Sequence, residues 1–232
     1  MTVKRSLEVE RILLGEFSSP GVFTPTATSR LLASLAVGKV NPGDSILDLG
    51  CGSGVVGLQI AQSLHGQVHL SMSDVSAHAV QVAKANASKL GFAADVRSGD
   101  LLAPWGSQRF DVIVSDVSGV VPRLGQQLGW FTGVSNDSGS RGIDLATQVV
   151  SLSPQSLEVG GRLLMPILSL SDEKALHKVM TNTFSSVTLL GETALPLPAG
   201  ANVGDIRDRD PFIRLDSIAG VNVFYTSVWC LS

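Results

Sequence analysis

The chain has little of what disulfide-stabilised or metal-binding proteins contain. Its 232 residues include two cysteines, Cys51 and Cys230, which lie far apart in the sequence. Two such cysteines give no disulfide framework, and the four histidines do not cluster with the spacing of a zinc site. The sequence therefore predicts neither a disulfide framework nor a bound metal ion.

Long apolar runs and runs of basic residues are also missing. No apolar run approaches the length of a membrane span, and the N-terminal residues carry no signal-peptide core. The net charge is −3 and no basic run is longer than Lys4-Arg5, which is unlike the basic face of a dedicated nucleic-acid-binding protein. We therefore expect a cytoplasmic protein with no membrane partner and no nucleic-acid partner; the oligomeric state stays open.

The order of predicted elements indicates the fold class. From Ile46 onward, short apolar β runs alternate with helical stretches, a pattern typical of a parallel sheet with helices on both faces. We expect an α/β fold with a doubly wound, mostly parallel seven-stranded sheet and an antiparallel C-terminal strand. Residues 1–40 are expected to form an N-terminal cap or helical segment, and residues 41–232 the ligand-binding domain.

The most informative segment is Ser45-Ile-Leu-Asp-Leu-Gly-Cys-Gly-Ser-Gly54. A short β run ends in glycines at every second position, where a strand must turn sharply into a helix. Glycine permits the φ angles and the close backbone approach that such a turn needs, and the helix N–H groups then point at a ligand. The segment therefore predicts a nucleoside-containing ligand.

Two aspartates at later strand ends support this prediction. Asp74 ends the second predicted strand, about where an acidic side chain accepts hydrogen bonds from both ribose hydroxyls of a nucleoside held over such glycines. Asp100, after the third strand, is a candidate acceptor for an exocyclic adenine amine. Each also has a plainer structural interpretation, Asp74 as an acid near a helix start and Asp100 as a turn residue.

Two ligand classes fit these residues. Gly52-Ser-Gly54-Val-Val-Gly57 matches the G-x-G-x-x-G fingerprint of NAD(P)-dependent oxidoreductases. The longer run Leu47-Asp-Leu-Gly-Cys-Gly-Ser-Gly54 instead resembles motif I of the class I S-adenosylmethionine-dependent methyltransferases. The methyltransferase is favoured because no second nucleotide-binding half follows, an acidic residue ends the fourth strand, and two final strands are available for a terminal hairpin.

A second segment narrows the resemblance. Phe110-Asp-Val-Ile-Val-Ser-Asp-Val-Ser-Gly119 resembles motif IV of the HemK-like "small domain" methyltransferases, and Gly21-Val-Phe-Thr-Pro25 resembles the segment that closes over the cofactor in that group. The group commonly has N-P-P-Y where this chain has Asp116 to Gly119. In the group, the Asn side chain and a proline carbonyl hold the hydrogens of the acceptor nitrogen. The change removes that clamp, so glutamine or adenine specificity does not carry over.

The resemblance implies a set of cofactor contacts, in which Asp48 lies near the sulfonium. Asp116 is the candidate catalytic residue, as an acceptor of hydrogen bonds, a positioning residue or a general base. The predicted cofactor-binding residues are Pro25, Asp48, Gly50, Cys51, Gly52, Gly54, Asp74, Val75, Asp100, Leu101 and Asp116.

The long segment from Ser118 to Gly142 interrupts the pattern of strands and helices. It is rich in Gly and Ser, and segments of this length are commonly functional or disordered. We interpret it as a candidate lid in which Trp130 and Phe131 supply apolar cover. Arg123 and Arg141 are candidate partners for a substrate carboxylate or phosphate.

These features together predict an S-adenosylmethionine-dependent methyltransferase that yields S-adenosylhomocysteine. The main expectation is a nitrogen or oxygen acceptor on a small molecule. The alternative acceptor is a protein side chain or an RNA base. Two further alternatives stay open, a non-catalytic cofactor-binding partner and an NAD(P)-dependent oxidoreductase.

Overall fold

A single sheet organises the chain in the computed structural model, which describes residues 19–131, 133–198 and 201–232. The strands are β1 (Ser45–Leu49), β2 (His69–Asp74), β3 (Ala94–Ser98), β4 (Phe110–Val114), β5 (Leu157–Leu168), β6 (Val187–Pro196), β7 (Leu215–Ile218) and β8 (Val221–Leu231). The α-helices of the described residues are α1 (Ala27–Val37), α2 (Val55–Ser63), α3 (Ala77–Leu90), α4 (Pro122–Gln127), α5 (Asp144–Leu152), α6 (Glu173–Thr183) and α7 (Val203–Arg209).

The strand order is β3-β2-β1-β4-β5-β8-β6, with β7 paired to β8. Strands β1 to β5 pair in parallel, and β8 is antiparallel to its three partners. The prediction of a doubly wound, mostly parallel α/β sheet with an antiparallel C-terminal strand is therefore confirmed.

The predicted number of seven strands is wrong by one. The additional strand, β7, is four residues long and lies in a polar stretch that carries little apolar pattern. It forms because the chain turns tightly at Ala219 and Gly220, both at positive φ, and pairs with the start of β8. Its stability comes from that pairing, so its own sequence does not reveal it.

The two faces of the sheet are buried by alternating side chains. In β1, Ile46 packs into the apolar cluster formed with α1, α2 and α3, whereas Leu47 packs into the opposite cluster formed with α5 and α6. In β4, Val112 and Ile113 divide in the same way. Successive side chains of a strand point to opposite faces, so a strand covered on both sides is mainly apolar, and Asp48 of β1 is the buried polar exception.

A third apolar cluster, which we call the cap cluster, combines side chains of β7 and β8 with side chains from segments outside the sheet. It joins residues 120–131 to residues 195–224, two segments that the sequence pattern leaves unconnected. Arg123 in α4 reinforces the contact by pairing with Asp210 (Nη2 to Oδ2, 2.5 Å) and Asp205 (Nη1 to Oδ2, 3.4 Å) beside α7. The main buried members of the cap cluster are Val120, Val121, Leu124, Leu170, Ile206, Ile213, Leu215 and Phe224.

Helix α1 begins at a capping box. The Thr26 side chain accepts the Thr28 N–H, and the Ser29 hydroxyl accepts the Thr26 N–H. The helix buries Leu32 and Ala33 against the first core cluster. The proposed boundary between residues 1–40 and 41–232 stays a prediction, and residues 1–18 lie outside the described part of the chain.

Within the described ranges, the helices are all too short or too polar to cross a membrane. The same part of the chain contains no group of three or more His, Cys, Asp or Glu side chains placed to hold a metal ion.

Candidate active site

A cavity of about 730 Å³ opens where β1, β2, β3 and β4 end, within the size range of small-molecule sites. All the predicted cofactor-binding residues line it except Gly54. Gly54 instead starts α2 behind the cavity wall, where an added Cβ would lie 3.0 Å from the Met72 sulfur. The structure thus brings the predicted residues together, and that they bind a cofactor stays a prediction.

The glycine turn is held against the end of β2. The backbone N–H groups of Gly50 and Cys51 both donate to the Ser73 carbonyl at 2.9 Å. Gly50 has φ +73°, and an added Cβ would lie 2.8 Å from the Val117 methyl carbon Cγ1. A side chain at position 50 would therefore displace the segment that follows β4.

Asp48 is almost completely buried, with 1% of its surface exposed. Its Oδ2 accepts the N–H of Gly57 at 2.9 Å, one of the N–H groups in the first turn of α2 that lack a partner inside the helix. Burial, with smaller contributions from the charges of Asp116 and Asp74, raises the pKa of Asp48 to about 7 despite this bond. The carboxylate is therefore poised to meet a positive charge in the cavity.

The third glycine of the fingerprint makes this contact possible. An added Cβ at Gly57 would lie 2.8 Å from a Leu70 methyl carbon and 3.0 Å from the Asp48 Cβ. Gly57 is thus needed for close packing of α2 on the sheet, in addition to any role for the glycines near a ligand.

Asp74 connects the glycine turn to the start of α3. Its Oδ2 accepts the Gly52 N–H and its Oδ1 accepts the Ser76 N–H, both at 2.9 Å. Asp74 is thus an acid at a helix start, as the structural interpretation holds. It also lines the cavity, where the predicted ribose contact would be made.

The end of β3 forms the opposite wall. Asp100 is exposed and Leu101 has φ +44°, a conformation that branched side chains rarely adopt. Val75, at the end of β2, is 71% exposed although it is apolar. Such exposure and backbone strain beside a cavity are typical of a ligand-binding wall.

Asp116 lies directly after β4 and is partly buried. Its Oδ2 accepts a hydrogen bond of 2.6 Å from the Ser29 hydroxyl, which also accepts the Thr26 N–H of the α1 capping box. Burial raises the pKa of Asp116 to about 6, and the bond from Ser29 lowers it. Ser29 was missed by sequence reasoning, since a capping box gives no sign of what else its serine contacts.

The segment from Ser118 to Gly142 covers the side of the cavity next to Asp116. Phe131 stacks on Phe23 of the Gly21–Pro25 segment, with ring centroids 5.4 Å apart, and Trp130 contacts Phe224 at 5.5 Å. Both aromatic residues line the cavity, so apolar cover is present where it was predicted. Whether the segment opens and closes as a lid stays a prediction.

The expectation for the two arginines of this segment is wrong. Arg123 holds the cap cluster through its two aspartates, and Arg141 pairs with Asp172, which caps α6. Neither arginine lines the cavity. Both pair with aspartates of the fold and lie away from the cavity, so the structure does not place either one where a substrate in the cavity would meet it.

Two small side chains of the glycine turn complete the site. Burial raises the pKa of the Cys51 thiol well above its ordinary value, so this cysteine stays a neutral thiol and is no nucleophile. Ser53 is among the residues that line the cavity and is 2% exposed, and its buried hydroxyl has no hydrogen-bond partner in the described structure. An unpaired buried hydroxyl is unfavourable, so Ser53 is a candidate ligand contact.

The comparisons with known proteins agree with this geometry. Residues 15–116 match the family model of the methyltransferase small domain. The predicted resemblance to the small-domain methyltransferases is confirmed. The segment includes the glycine turn and ends at Asp116.

Curated relatives and solved structures extend the match. Release factor glutamine methyltransferase of Geobacter sulfurreducens is 28% identical over 158 residues, which are 64% of this chain and 54% of that protein. Ribosomal RNA small subunit methyltransferase C of Haemophilus ducreyi is 34% identical over 102 residues, 43% of this chain and 30% of that protein. The chain thus spans about half or less of these relatives.

Among solved structures, a Thermus thermophilus 16S rRNA N2 G1207 methyltransferase in complex with AdoMet and guanosine has a similar fold. The TM-score is 0.56 at 16% identity, covering 86% of this chain and 42% of that one. This likeness supports the Rossmann-like methyltransferase fold that the sequence predicts.

Proposed function

We propose that this chain is an S-adenosylmethionine-dependent methyltransferase that methylates a nitrogen of a protein side chain. The observation that carries the proposal is the position of Asp116, whose carboxylate lines the same cavity as the glycine turn and Asp74. One of its oxygens takes the Ser29 hydrogen bond, which leaves the other available to an acceptor.

The chain's own residues fit the cofactor. Asp74 lies beside the glycine turn, where it can accept hydrogen bonds from ribose hydroxyls while keeping Gly52 in place. Asp48 offers a buried negative charge for the sulfonium, and Ser53, whose buried hydroxyl has no partner in the described structure, lines the cavity beside the glycine turn. Asp100 and Leu101 form the wall proposed for adenine.

Replacing Asp74 with alanine should weaken S-adenosylmethionine binding by roughly 1–3 kcal/mol, because a hydrogen bond to a charged group is lost. Part of this loss comes from the Gly52 N–H, which also loses its partner. Calorimetry on the purified protein measures the change, with Asp95→Ala on the exposed side of β3 as the matched control. An unchanged affinity would remove Asp74 from the site, and tighter binding of NADH than of S-adenosylmethionine would favour the oxidoreductase alternative.

When bound, S-adenosylmethionine supplies a methyl group on a positively charged sulfur, which becomes the neutral thioether of S-adenosylhomocysteine as the methyl group leaves. The protein has to align an acceptor lone pair with that methyl group and exclude water. Asp116 aligns the acceptor by accepting a hydrogen bond from one of its N–H groups. Trp130 and Phe131, with the rings that they contact, shield the site from water.

Ser29 acts on this chemistry through Asp116, so it is a positioning residue. Replacing it with alanine should lower turnover about tenfold, the contribution of one hydrogen bond to a charged group. Because the Ser29 bond lowers the pKa of Asp116, its loss should also move the acid limb of the pH–rate profile to higher pH. Ser29→Thr keeps the hydroxyl and should restore both, whereas an unmoved profile in Ser29→Ala would restrict Ser29 to capping α1.

The choice of acceptor rests on the relatives and on the cavity. The relatives named above act on a release factor and on ribosomal RNA, which supports a macromolecular acceptor over the small molecule expected from the sequence. An RNA base is the second candidate because of the ribosomal RNA relative. A protein is favoured because the net charge is −3 and the described residues that line the cavity include no Lys or Arg to meet phosphates.

Methyl transfer from labelled S-adenosylmethionine into fractionated lysate tests the proposal. We expect label in the protein fraction, and none when Asp116→Ala replaces the unchanged chain. Label in RNA or in small molecules would reassign the acceptor. Binding of the cofactor without transfer to any fraction would favour a non-catalytic partner.

A further inference from the structure

The charged side chains that line the cavity are all of one sign. Among the described residues, the lining includes five aspartates and no Lys, Arg or His side chain. The aspartates are Asp48, Asp74, Asp100, Asp116 and Asp137. A ligand that fills this cavity therefore meets negative charge without a protein cation to balance it.

The aspartates divide by position. Asp74 and Asp100 lie at the wall proposed for ribose and adenine, and Asp137 lies exposed at the rim with a hydrogen bond from Ser135. That leaves Asp48 and Asp116 at the proposed transfer point, where each is held by one hydrogen bond, from Gly57 and Ser29 respectively. One buried and one partly buried carboxylate near each other are stable as anions only beside positive charge.

The sulfonium of the cofactor supplies one positive charge. A second positive charge on the acceptor would balance the second carboxylate, whereas a neutral amide or nucleobase would leave it unbalanced. An acceptor amide keeps its nitrogen lone pair delocalised over the carbonyl, so it also gains less from a nearby carboxylate. The negative charge of the cavity therefore favours an amine acceptor over an amide acceptor.

The wall beyond Asp116 is apolar and suits an alkyl arm. Leu168, Leu195 and Pro196 line it together with Trp130 and Phe224. Aliphatic groups pack on such a surface, and aromatic faces attract an ammonium group through cation–π contact. An alkyl chain ending in an ammonium group matches both the wall and the carboxylate.

We propose that the acceptor is an alkylammonium group, provided by a protein lysine side chain or by a small aliphatic amine. This inference rests on the methyl transfer of the proposed function and specifies the acceptor by its chemistry; a protein lysine would agree with the protein acceptor proposed above, and a small amine would replace it. In the reaction the ammonium nitrogen gives one proton to the free oxygen of Asp116. The nitrogen lone pair then forms the bond to the methyl carbon while the carbon–sulfur bond breaks and the sulfur keeps its electron pair. Asp116 afterwards releases the proton to water.

The proton transfer is helped by the surroundings. An ordinary lysine has a pKa of about 10.4. The two carboxylates favour its ammonium form on binding, whereas the apolar wall and the neighbouring sulfonium cation favour the neutral form that reacts. Burial keeps the Asp116 carboxyl a better base than an exposed aspartate. The groups that face Asp116 are Ser29, which donates to it, and Asp48, whose charge opposes a second anion.

Equilibrium binding tests the charge preference without turnover. An analogue of S-adenosylhomocysteine that carries an amine-bearing carbon in place of the sulfur puts an ammonium group at the transfer point. By calorimetry it should bind the unchanged chain at least about tenfold more tightly than S-adenosylhomocysteine, through a charge-assisted hydrogen bond. Asp116→Asn should lose most of this difference, and Asp208→Asn on the exposed surface of α7 should keep it. Equal affinities for the two compounds in the unchanged chain would overturn the inference.

Methyl-transfer assays with four different acceptors and the unchanged chain identify the source of the amine. Labelled S-adenosylmethionine is offered with a lysine peptide, a glutamine peptide of the same sequence, pentylamine and a short RNA. Label in the lysine peptide or in pentylamine supports the inference and distinguishes a protein from a small amine. Label in the glutamine peptide or in the RNA overturns it while leaving methyl transfer intact. Failure to bind S-adenosylmethionine would instead overturn the proposed function.

Discussion

Replacing Asp48 with asparagine should make the protein more stable at pH 8 and weaken its binding of S-adenosylmethionine. Burial raises the pKa of Asp48 from 3.8 to about 7, so ionising it in the folded state is unfavourable. Asparagine has a similar shape, keeps an oxygen for the Gly57 N–H and carries no charge. We expect the free energy of unfolding to rise by on the order of 2–4 kcal/mol at pH 8.

The sign of this effect follows from proton binding. Between pH 4 and pH 7, roughly, the folded chain holds a proton on Asp48 that the unfolded chain has lost, so the contribution of Asp48 to stability falls as pH rises. The variant should therefore match the unchanged chain near pH 4 and exceed it increasingly up to pH 7. Urea unfolding at a series of pH values measures the difference.

Asp111 on the neighbouring strand β4 is the matched control, because its pKa is shifted in the opposite direction. It accepts two hydrogen bonds from Ser45, through the backbone N–H and the hydroxyl, and these lower its pKa. Asp111→Asn should therefore destabilise the protein at neutral pH and lose this effect in acid. A gain in stability that is the same at pH 4 and pH 8 for Asp48→Asn would show that the charge of Asp48 is not its cause.

Binding of two forms of the cofactor to Asp48→Asn distinguishes an effect of the Asp48 charge from an effect of a changed shape. S-adenosylmethionine carries the sulfonium charge and S-adenosylhomocysteine does not. At pH 8, Asp48→Asn should weaken binding of the former about tenfold, as expected for one lost charge interaction in a partly screened site, and change the latter little. Equal losses for both compounds would indicate a rearranged glycine turn instead.

Replacing Asp116 with alanine should lower turnover by about 10²–10⁴-fold, the usual contribution of a group that accepts a proton in the transition state. Affinity for the cofactor should stay close to that of the unchanged chain, because the proposed ribose contact is at Asp74. Single-turnover methyl transfer together with calorimetry measures the two effects.

Two controls show whether the loss of turnover comes from Asp116 itself or from a disturbed fold. Alanine leaves the Ser29 hydroxyl without its acceptor, so thermal unfolding must show that α1 stays folded. Asp208→Ala, on the exposed surface of α7, should keep normal turnover. Normal turnover in Asp116→Ala would reduce Asp116 to a residue that only shapes the loop.

Asp48 and Asp116 illustrate one physical point. Each carries a carboxyl group whose ionised form is unfavourable where the fold puts it, and each lines the proposed transfer point. Natural proteins keep such unfavourable groups mainly at functional sites. Removing the charge is therefore expected to stabilise the fold and impair the site in the same substitution.

Local patterns predict the parallel half of the fold well. Strands β1 and β4 are short, mainly apolar runs, and β2 and β3 are short stretches in which polar residues alternate with apolar ones. All four end close to glycine or aspartate, so their positions can be predicted from local sequence. Strand β7 differs, because its pairing with β8 depends on the turn at Ala219 and Gly220. Such short strands take their stability from a partner and leave little trace in their own sequence.

The same contrast holds for the site. Asp74 and Asp100 are predicted from their positions at the ends of strands, and Asp116 from the resemblance of its segment to motif IV. Ser29 was missed because it lies 87 positions from Asp116 in the sequence and reaches it only after α1 packs on the sheet. Arg123 is a candidate substrate partner in the sequence because the sequence does not show that α7 folds against α4 and pairs with it.

The sequence by itself determined the class of fold, the glycine turn and the resemblance to the small-domain methyltransferases, because these depend on residue types at fixed, short spacings. The tertiary structure decided how the aspartates are charged and what they meet. It buried Asp48 beneath α2, joined Asp116 to Ser29, and used both loop arginines within the fold. Burial and long-range contacts set those properties, and neither is written in the local order of residues.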